Sequence, residues 1–261
     1  KSAFYYQKSA QSFEAIGDRS GLAHVLGNMG SAYRRSKDWD KAIEHCYRSF
    51  KIFEKNGDEL GAAQMTGSLG RIYAEMGERE LAARYFERSL TDFQRLGDKK
   101  SAAWVLDRLG RIAGERKDLD KAISYYNQSL AIFEQLGQSQ SAGMVLSNLG
   151  RTYLDMNEAA FACESLERAA RLIPKNDHPN YPNALSRLAI SYSINGKNRL
   201  QEAMDAGDDN ESIRSSASKY YSLAADKYLE LASLPRVGSA DIKATAGVAK
   251  APVEAGPPFS T

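Results

Sequence analysis

Glycine recurs along this chain at a constant interval of 40 residues, and that interval restricts the possible folds more than any other feature. One series of glycines lies inside apolar segments, and a second closes runs such as FEAIGD and FEKNGD. The first series is Gly30, Gly70, Gly110 and Gly150, and the second is Gly17, Gly57, Gly97 and Gly137. A fixed period of about 20 to 50 residues is typical of repeat arrays, in which each unit contacts only its neighbours. We therefore expect one continuous array rather than two globular domains.

Each unit contains two apolar stretches with the spacing of an amphipathic helix. In the third unit these are Val105, Leu106, Leu109 and Ile112, then Ala122, Ile123, Tyr126, Leu130 and Phe133. Near the expected start of each second helix lies an acidic or amide residue, which suits the free N–H groups and the helix dipole there: Asp38, Glu78, Asp118 and Asn157. The second glycine series falls where helices must end, and glycine suits the left-handed residue there. The first series lies inside helices, where glycine costs about 1 kcal/mol relative to alanine, so we expect two helix backbones to approach closely at these positions.

The order of residues within each unit resembles the tetratricopeptide repeat. In the second unit it reads Leu69-Gly70-Tyr73 for the first helix and Ala82-Phe86-Ser89 for the second, and the other units differ only conservatively, as at Cys46 and Ala113. The usual repeat has about 34 residues, and the 40-residue form resembles kinesin light chains, spindle-orientation adaptors and peptide-pheromone sensors. The resemblance implies an all-α fold, a right-handed α-solenoid of antiparallel helix pairs that binds its partners on the concave surface.

The repeat also predicts how the chain is divided. We expect a second helix of a truncated repeat at 1–16, repeats at 17–56, 57–96, 97–136 and 137–175, a fifth repeat at 176–234, and a disordered tail at 235–261. The fifth repeat is expected to carry a 16-residue insertion between its helices, because Tyr192 and Ala217 are much further apart than Tyr33 and Ala42. Because the pattern begins within a helix at Lys1, we expect the chain to be part of a longer polypeptide.

By resemblance to the family, binding side chains project from set positions of the first helices. The position after the interior glycine holds Ser31, Arg71, Arg111 and Arg151, the position two before it holds Asn28, Ser68, Arg108 and Asn148, and the position six before it holds His24, Gln64, Trp104 and Met144. The candidate binding residues are Trp104, Met144, Arg71, Arg108, Arg111, Arg151, Asn28, Asn148, Asp107 and Arg34. Asp107 stands at a position of the carboxylate clamp of chaperone-binding members, whose lysine and asparagine pattern this chain does not share.

Two interpretations of the arginines remain open. Arginine forms planar, bidentate hydrogen bonds with carboxylates, so Arg71, Arg111 and Arg151 could hold acidic side chains of a partner. Acidic residues follow them by four positions, however, and exposed intrahelical ion pairs of this kind contribute only about 0.3–0.5 kcal/mol. These acidic residues are Glu75, Glu115 and Asp155. The groove is then mixed in charge, with a positive bias near Arg34.

The apolar and amide candidates also have alternatives. Trp104 and Met144 could form one apolar patch that anchors a partner side chain, or Trp104 could pack against a neighbouring repeat. Asn28 and Asn148 resemble the asparagines with which family members hold an extended peptide backbone, since an amide both donates and accepts hydrogen bonds.

The composition limits the classes of partner and site that we expect for this chain. Lys plus Arg number 35 and Asp plus Glu number 33, so the net charge of +2 predicts neither a nucleic-acid nor a membrane partner. Cys46 and Cys163 lie far apart without histidine at ligand spacing, which predicts no metal site, no disulfide and a reducing, cytoplasmic location. No catalytic constellation or cofactor is expected. The sequence therefore favours a non-enzymatic scaffold for a peptide or another protein. The alternatives are a peptide-sensing regulatory module and self-association through the half-repeat at 1–16.

Overall fold

The computed structural model describes residues 2–177, 179–205 and 211–234, and the regular structure within them is helical. In chain order the helices are α1 (Ser2–Ala15), α2 (Arg19–Arg35), α3 (Trp39–Lys55), α4 (Glu59–Met76), α5 (Arg79–Leu96), α6 (Lys99–Glu115), α7 (Leu119–Gln135), α8 (Ser139–Asp155), α9 (Ala159–Leu172), α10 (Asn180–Asp205) and α11 (Glu211–Ser233). The predicted tail at 235–261 lies outside the described residues.

The helices pack as consecutive pairs: α2 with α3, α4 with α5, α6 with α7, α8 with α9, and α10 with α11. Each second helix also contacts the first helix of the next pair, and α1 packs on α2 as a second helix without a described partner of its own. Buried apolar side chains from both layers of helices form the core along the stack. This arrangement confirms the predicted all-α solenoid of antiparallel helix pairs.

Helix ends follow most of the predicted signals. Asp38 and Asp118 accept a hydrogen bond from the backbone of the first turn of α3 and α7. The glycines of the second series have φ between +64° and +73°, a range that glycine adopts without a steric penalty. Asn157 lies at the start of α9 but is not its N-cap. Glu158 is the N-cap of α9, and Asn157 instead has φ +63°, in the left-handed region that asparagine tolerates better than most residues.

The interior glycines make room for side chains of the second helix. A Cβ at Gly110 would lie 2.7 Å from Cε1 of Tyr126, and one at Gly150 would lie 2.5 Å from Cγ of Leu166. At these two positions a side chain of the second helix therefore occupies the space that a Cβ would need. At Gly30 the backbone of the second helix also lies close, since the carbonyl oxygen of Ala42 is 3.1 Å from a hypothetical Cβ there.

A buried serine in each of the first three complete pairs fixes the two helices to each other. Its hydroxyl donates to an alanine carbonyl of the partner helix, in the bonds Ser49 to Ala23 (2.6 Å), Ser89 to Ala63 (3.0 Å) and Ser129 to Ala103 (2.8 Å). All three serines are fully buried, where a hydroxyl needs a partner. The repeated bond gives successive pairs the same geometry.

The fifth pair has longer helices than the others. Helix α10 has 26 residues and α11 has 23, whereas α2 has 17. Helix α10 continues beyond Tyr192 to Asp205, and α11 begins at Glu211, before Ala217. Much of the sequence between Tyr192 and Ala217 therefore extends the two helices.

Candidate functional site

The first helices line the inner side of the stack. Helix α2 contacts α4, α6 contacts α8, and α8 contacts α10, whereas among the described helices no two second helices approach each other to the same extent. Because the first helices lie closer together, their side of the stack is the concave one. We call the surface formed by α2, α4, α6, α8 and α10 the groove.

The groove contains a cleft of about 520 Å³ between α4 and α6. Its floor consists of the rings of Phe86 and Phe93, which are otherwise buried. Its walls are lined by Gln64, Gly67, Ser68 and Arg71 from α4 and by Ser101, Trp104, Val105 and Arg108 from α6. We call it the Gly67 cleft. An apolar floor under a few polar groups is the usual composition of a ligand site.

The missing side chain at Gly67 explains the position of this cleft. The equivalent positions of α6 and α8 hold Asp107 and Ser147, which are both buried. Asp107 is hydrogen-bonded to α8, and Ser147 is hydrogen-bonded to α10. The equivalent Gly27 is covered by Met65, whose sulfur would lie 3.0 Å from a Cβ there. A Cβ at Gly67 would meet only the Ser89 side chain. The cleft therefore opens at this junction of repeats.

Trp104 is half-buried and forms part of the cleft wall. Its ring packs edge-on against Phe133 of its own helix pair, with centroids 5.4 Å apart, and the Arg108 guanidinium lies 5.8 Å from the ring centroid. This ring contact lies within the repeat that contains Trp104. Met144 occupies the equivalent position of α8 and is also half-buried. The cleft beside Trp104 lies between α4 and α6, so Met144 does not line it.

The predicted intrahelical ion pairs form at one of three positions. Arg71 pairs with Glu75 at 3.4 Å, and Glu75 also accepts a hydrogen bond from Arg34 at 2.6 Å. Glu115 pairs with Arg79 of the preceding repeat at 3.0 Å. Within the described residues, no carboxylate lies at ion-pair distance from Arg111 or Arg151.

Asn148 and Asp107 join α8 to α6. The amide of Asn148 donates to Asp107 at 2.9 Å, and Asp107, which is 4% exposed, also lies 3.7 Å from Nε of Arg108. Asn148 thus bonds within the groove wall, whereas Asn28 at the equivalent position of α2 is exposed.

Arg187 is a groove residue that the sequence interpretation missed. It donates to the carbonyl and the hydroxyl oxygen of Ser147 at 3.0 and 2.8 Å, which links α10 to α8. It occupies the position of Arg108 and Asn148, two before Ala189, which takes the place of the interior glycine in the fifth repeat. Continuing that position into the fifth repeat would have found it.

Tyr126 lies beneath the charged part of the groove. The side chain is fully buried, and its hydroxyl has no hydrogen-bond partner among the described residues. Burial raises the pKa of Tyr126, as does the charge of Asp107, while the charges of Arg151, Arg111 and Arg108 oppose the shift.

Arginines close to Tyr126 are partly desolvated. Burial lowers the pKa of Arg187, and the charge of Arg151 lowers it further. Burial likewise lowers the pKa of Arg108, and among its charged neighbours Asp107 opposes the shift while Arg111 adds to it. Nε of Arg151 is buried without a partner within the described part of the chain.

The described residues give no sign of a metal or redox centre. They contain no group of three or more His, Cys, Asp or Glu side chains placed to hold a metal ion. Cys46 and Cys163 are buried free thiols, and burial raises the pKa of the Cys46 thiol to about 12, so it stays protonated at neutral pH. None of the described helices has the length and apolar composition needed to cross a membrane.

Comparison with known proteins finds a family model that matches part of the chain. A family model described as tetratricopeptide repeat matches residues 21–95 and, in a second register, 59–135. Curated protein sequences give no significant match.

Solved structures share the fold over most of the chain. BtubC (BKLC) from P. vanneervenii has 16% identity and a TM-score of 0.69, with 95% of this chain and 97% of that chain covered. A putative kinesin light chain from Podosopora anserina with nearly identical TPR-like repeats has 17% identity and a TM-score of 0.59, with 81% and 97% covered. The Rap conjugation gene regulator of the plasmid pLS20, in complex with the Phr* peptide, has 18% identity and a TM-score of 0.57, with 88% and 69% covered. Residues 21–135 thus match the tetratricopeptide-repeat family model, and the solved structures share the fold of the repeated helix pairs.

Proposed function

We propose that this chain is a scaffold that binds a peptide, or an extended segment of a partner protein, in the groove, with an apolar side chain inserted into the Gly67 cleft. The observation that carries the proposal is the aromatic floor of Phe86 and Phe93 beneath an open cleft with arginines at its edge. Peptide anchors bind in small, desolvated pockets of this composition. A protein of similar fold that binds a peptide supports it further.

Trp104 is the residue we expect to contribute most to peptide affinity. Its contact with Phe133 holds the ring in one orientation, so binding immobilises little additional side chain. A large, rigid aromatic surface beside polar side chains is typical of the residues that dominate binding free energies.

Tryptophan fluorescence tests the proposal directly, because the chain has only two tryptophans. A Trp39→Phe variant leaves Trp104 as the single reporter in the cleft, and a Trp104→Phe variant leaves Trp39 of α3 as the matched control. Peptides selected from a random library on the wild-type protein are expected to change the emission of the first variant and not of the second.

Affinity provides the quantitative arm of this experiment. Trp104→Ala is expected to weaken the selected peptides by about tenfold or more, which corresponds to roughly 1.4 kcal/mol. Phe161→Ala, which removes an aromatic ring that is 54% exposed on the second helix α9, is the control and should leave affinity unchanged. If the selected peptides bound Trp104→Ala as tightly as the wild type, the proposal would be wrong.

The second candidate function is self-association through α1. Tyr6, Ser9 and Phe13 are only half-buried, whereas Cys46, Ser49 and Phe53, their equivalents in α3, are almost fully buried under α2. A second copy could cover this face of α1. Sedimentation velocity over a range of concentrations should then detect dimers, and a single monomeric species at the highest concentration would refute self-association.

A cytoplasmic location is part of the same proposal. Two buried free thiols suit a reducing compartment, where disulfides are rare. Fractionation of cells that produce the chain, with the thiols labelled before and after denaturation, would test it. Recovery of the protein outside the cytoplasm would contradict this assignment.

A further inference from the structure

Helix α11 ends the described stack with one side uncovered. The second helices α3, α5, α7 and α9 each pack on their own partner and on the first helix of the next pair. Among the described helices, α11 packs substantially on α10 alone. Its uncovered side carries Tyr221, Tyr228 and Leu229, which are 43%, 45% and 70% exposed, together with the exposed Ala225 and Ala232. We call these five residues the α11 stripe.

The α11 stripe lies on one side of its helix and is free of charge. Its residues follow one another by four, three, one and three positions, which places them within a sector of about 100°. Ser218 and Ser222 border this sector, whereas the exposed charges of this part of α11, Lys219 and Asp226, lie outside it. A contiguous exposed apolar surface of this kind marks an interaction site.

Inside the array, an equivalent ring is covered by a small residue of the next helix. Phe53 of α3 is 1% exposed, and a Cβ at Gly61 of α4 would lie 2.5 Å from its Cδ1 atom. Tyr228 is the equivalent of Phe53, since it follows Ala217 by the same number of positions as Phe53 follows Ala42. Tyr228 therefore has the place of a ring that a small residue of another helix covers.

Residues 235–261 lack the pattern of a further first helix. Between Pro235 and Pro252, the large apolar residues are Val237, Ile242 and Val248. On a helix, Ile242 would lie on a different side from the two valines, so this sequence has no apolar stripe to place against α11. A second copy of the chain offers a better match.

The α11 stripe is complementary to itself when two copies of α11 run antiparallel. In a pair related by a two-fold axis near residue 226, Tyr221 lies opposite Ala232 of the second copy. In the same pair, Ala225 lies opposite Tyr228 of the second copy. Each ring thus meets a methyl group, in the way that a ring meets a glycine inside the array. Tyrosine is also among the residues enriched at protein interfaces.

We propose that the α11 stripe is the interface of a symmetric homodimer, in which two copies of this chain pack their α11 helices antiparallel. The stripe is about 16 Å long from Tyr221 to Ala232, so the contact is short and the dimer is expected to form at micromolar concentrations. Two-fold symmetry is the commonest arrangement of soluble homo-oligomers. This interface goes beyond the proposed peptide binding, and it lies at the other end of the stack from α1.

Sedimentation velocity of the full chain over a range of concentrations tests the dimer. Ala225→Tyr places a second ring opposite Tyr228 of the other copy, and Tyr228→Ala removes the ring opposite Ala225. Each variant is expected to weaken dimerisation by about tenfold or more, through overpacking in the first case and a gap in the second. Because both positions are exposed, both variants should keep the circular dichroism spectrum of the wild type.

An equimolar mixture of the two variants tests the antiparallel register. In a heterodimer the introduced tyrosine of one chain faces the introduced alanine of the other, and the native Ala225 faces the native Tyr228. Both levels again pair a large residue with a small one. The mixture is therefore expected to dimerise within about threefold of the wild-type affinity, although neither variant does so alone.

Ala160→Tyr is the matched control, because it adds the same ring at an exposed alanine of α9 and should leave dimerisation unchanged. A monomeric wild type at the highest concentration, or a mixture that stays monomeric, would overturn the proposal. Dimers that persist in both single variants would also overturn it, and would support self-association through α1. If the wild type is monomeric and amides of 218–232 are protected from hydrogen exchange, residues 235–261 cover the α11 stripe instead.

The dimer and the proposed function can fail separately. Peptide binding reported by Trp104 in the Trp39→Phe background should be unchanged when Ala225→Tyr is added, because α11 is not one of the helices that form the groove. Peptides that bind a monomeric wild type would refute the dimer and leave the proposed function standing. Dimers that follow the predicted pairing, without any peptide that requires Trp104, would give the opposite result.

Discussion

At the scale of single residues, the presence or absence of one side chain determines the shape of the groove. Gly67 leaves the space that becomes the cleft, whereas Asp107 and Ser147 fill the equivalent space with hydrogen-bonded groups. Gly110 has the opposite consequence, because it allows the ring of Tyr126 to approach the backbone of α6. Glycine therefore serves packing inside these helices at a cost in helix propensity.

Gly110→Ala should destabilise the protein, because the new methyl group would lie 2.7 Å from the Tyr126 ring. Overpacking of this kind costs about 1–3 kcal/mol. Gly114→Ala in the same helix is the matched control, since its methyl group would meet only Ala122 at 3.9 Å and should stabilise the helix by up to about 1 kcal/mol. Urea denaturation of both variants measures the difference, and equal effects would contradict this account of the glycine series.

At the scale of helices, polar contacts between repeats reinforce the apolar core. The pair of Asn148 and Asp107 joins α8 to α6, and Arg187 with Ser147 joins α10 to α8. Within the fifth pair, Tyr181 of α10 donates to Glu230 of α11 at 2.6 Å, and Lys227 of α11 itself donates to the same carboxylate at 2.9 Å. These bonds fix neighbouring helices at defined positions along their axes.

Asn148→Ala should cost about 1–3 kcal/mol, because it leaves the buried Asp107 carboxylate without its amide donor. Asn28→Ala is the control at the equivalent, exposed position of α2 and should change stability by less than about 0.5 kcal/mol. Chemical denaturation monitored by circular dichroism compares the two. Similar losses in both variants would show that the contact with Asp107 is not what stabilises α8.

The contribution of the contact between α10 and α11 to stability should depend on pH. The hydrogen bond from Tyr181, followed by that from Lys227, lowers the pKa of Glu230 below its ordinary value of 4.5. Because the folded-state pKa is depressed, this contribution to stability is complete above the unfolded-state value and is lost as the pH falls through the folded one.

Thermal denaturation between about pH 3 and pH 6 should detect this loss, and Glu230→Gln should make the dependence of the melting temperature on pH shallower in that range. Asp226→Asn, which removes an exposed carboxylate of the same helix, is the control. If both variants followed the pH profile of the wild type, Glu230 would not be the group responsible.

At the scale of the whole molecule, stability in a repeat array depends on contacts between neighbours. Helix α1 packs substantially on α2 alone, whereas α6 packs on α5, α7 and α8. The groove lies on helices whose neighbours hold them on several sides. A site that must be pre-organised is therefore carried by the most constrained part of the stack.

Hydrogen exchange should follow this distribution. Amides of α1 are expected to exchange fastest among α1 to α9, and those of α6 and α7 slowest, because opening an end exposes fewer buried contacts than opening the middle. Mass spectrometry of peptides from a time course measures the gradient. Uniform protection from α1 to α7 would indicate that the array unfolds as one cooperative unit.

Several contacts of the candidate site were beyond prediction from sequence spacing. Spacing by four residues suggested ion pairs for Arg111 and Arg151, but Glu115 pairs with Arg79 of the preceding repeat, because helices in neighbouring repeats bring these side chains closer. Spacing likewise did not predict that the side-chain amide of Asn148 donates a hydrogen bond to Asp107. The binding roles of Trp104, Met144 and Arg71 remain predictions.

The sequence alone determined the repeat, its period, the helix pairs and most helix ends, because these depend on local spacing and on the conformational freedom of glycine. Only the tertiary structure decided where the groove opens and which of its charges remain uncompensated. The cleft depends on the rings of Phe86 and Phe93, and the charged region on Arg187 and Tyr126, which lie on helices other than those of the arginine series. A pattern within one repeat predicts how that repeat folds, whereas a site formed between repeats depends on distances that only the packed stack defines.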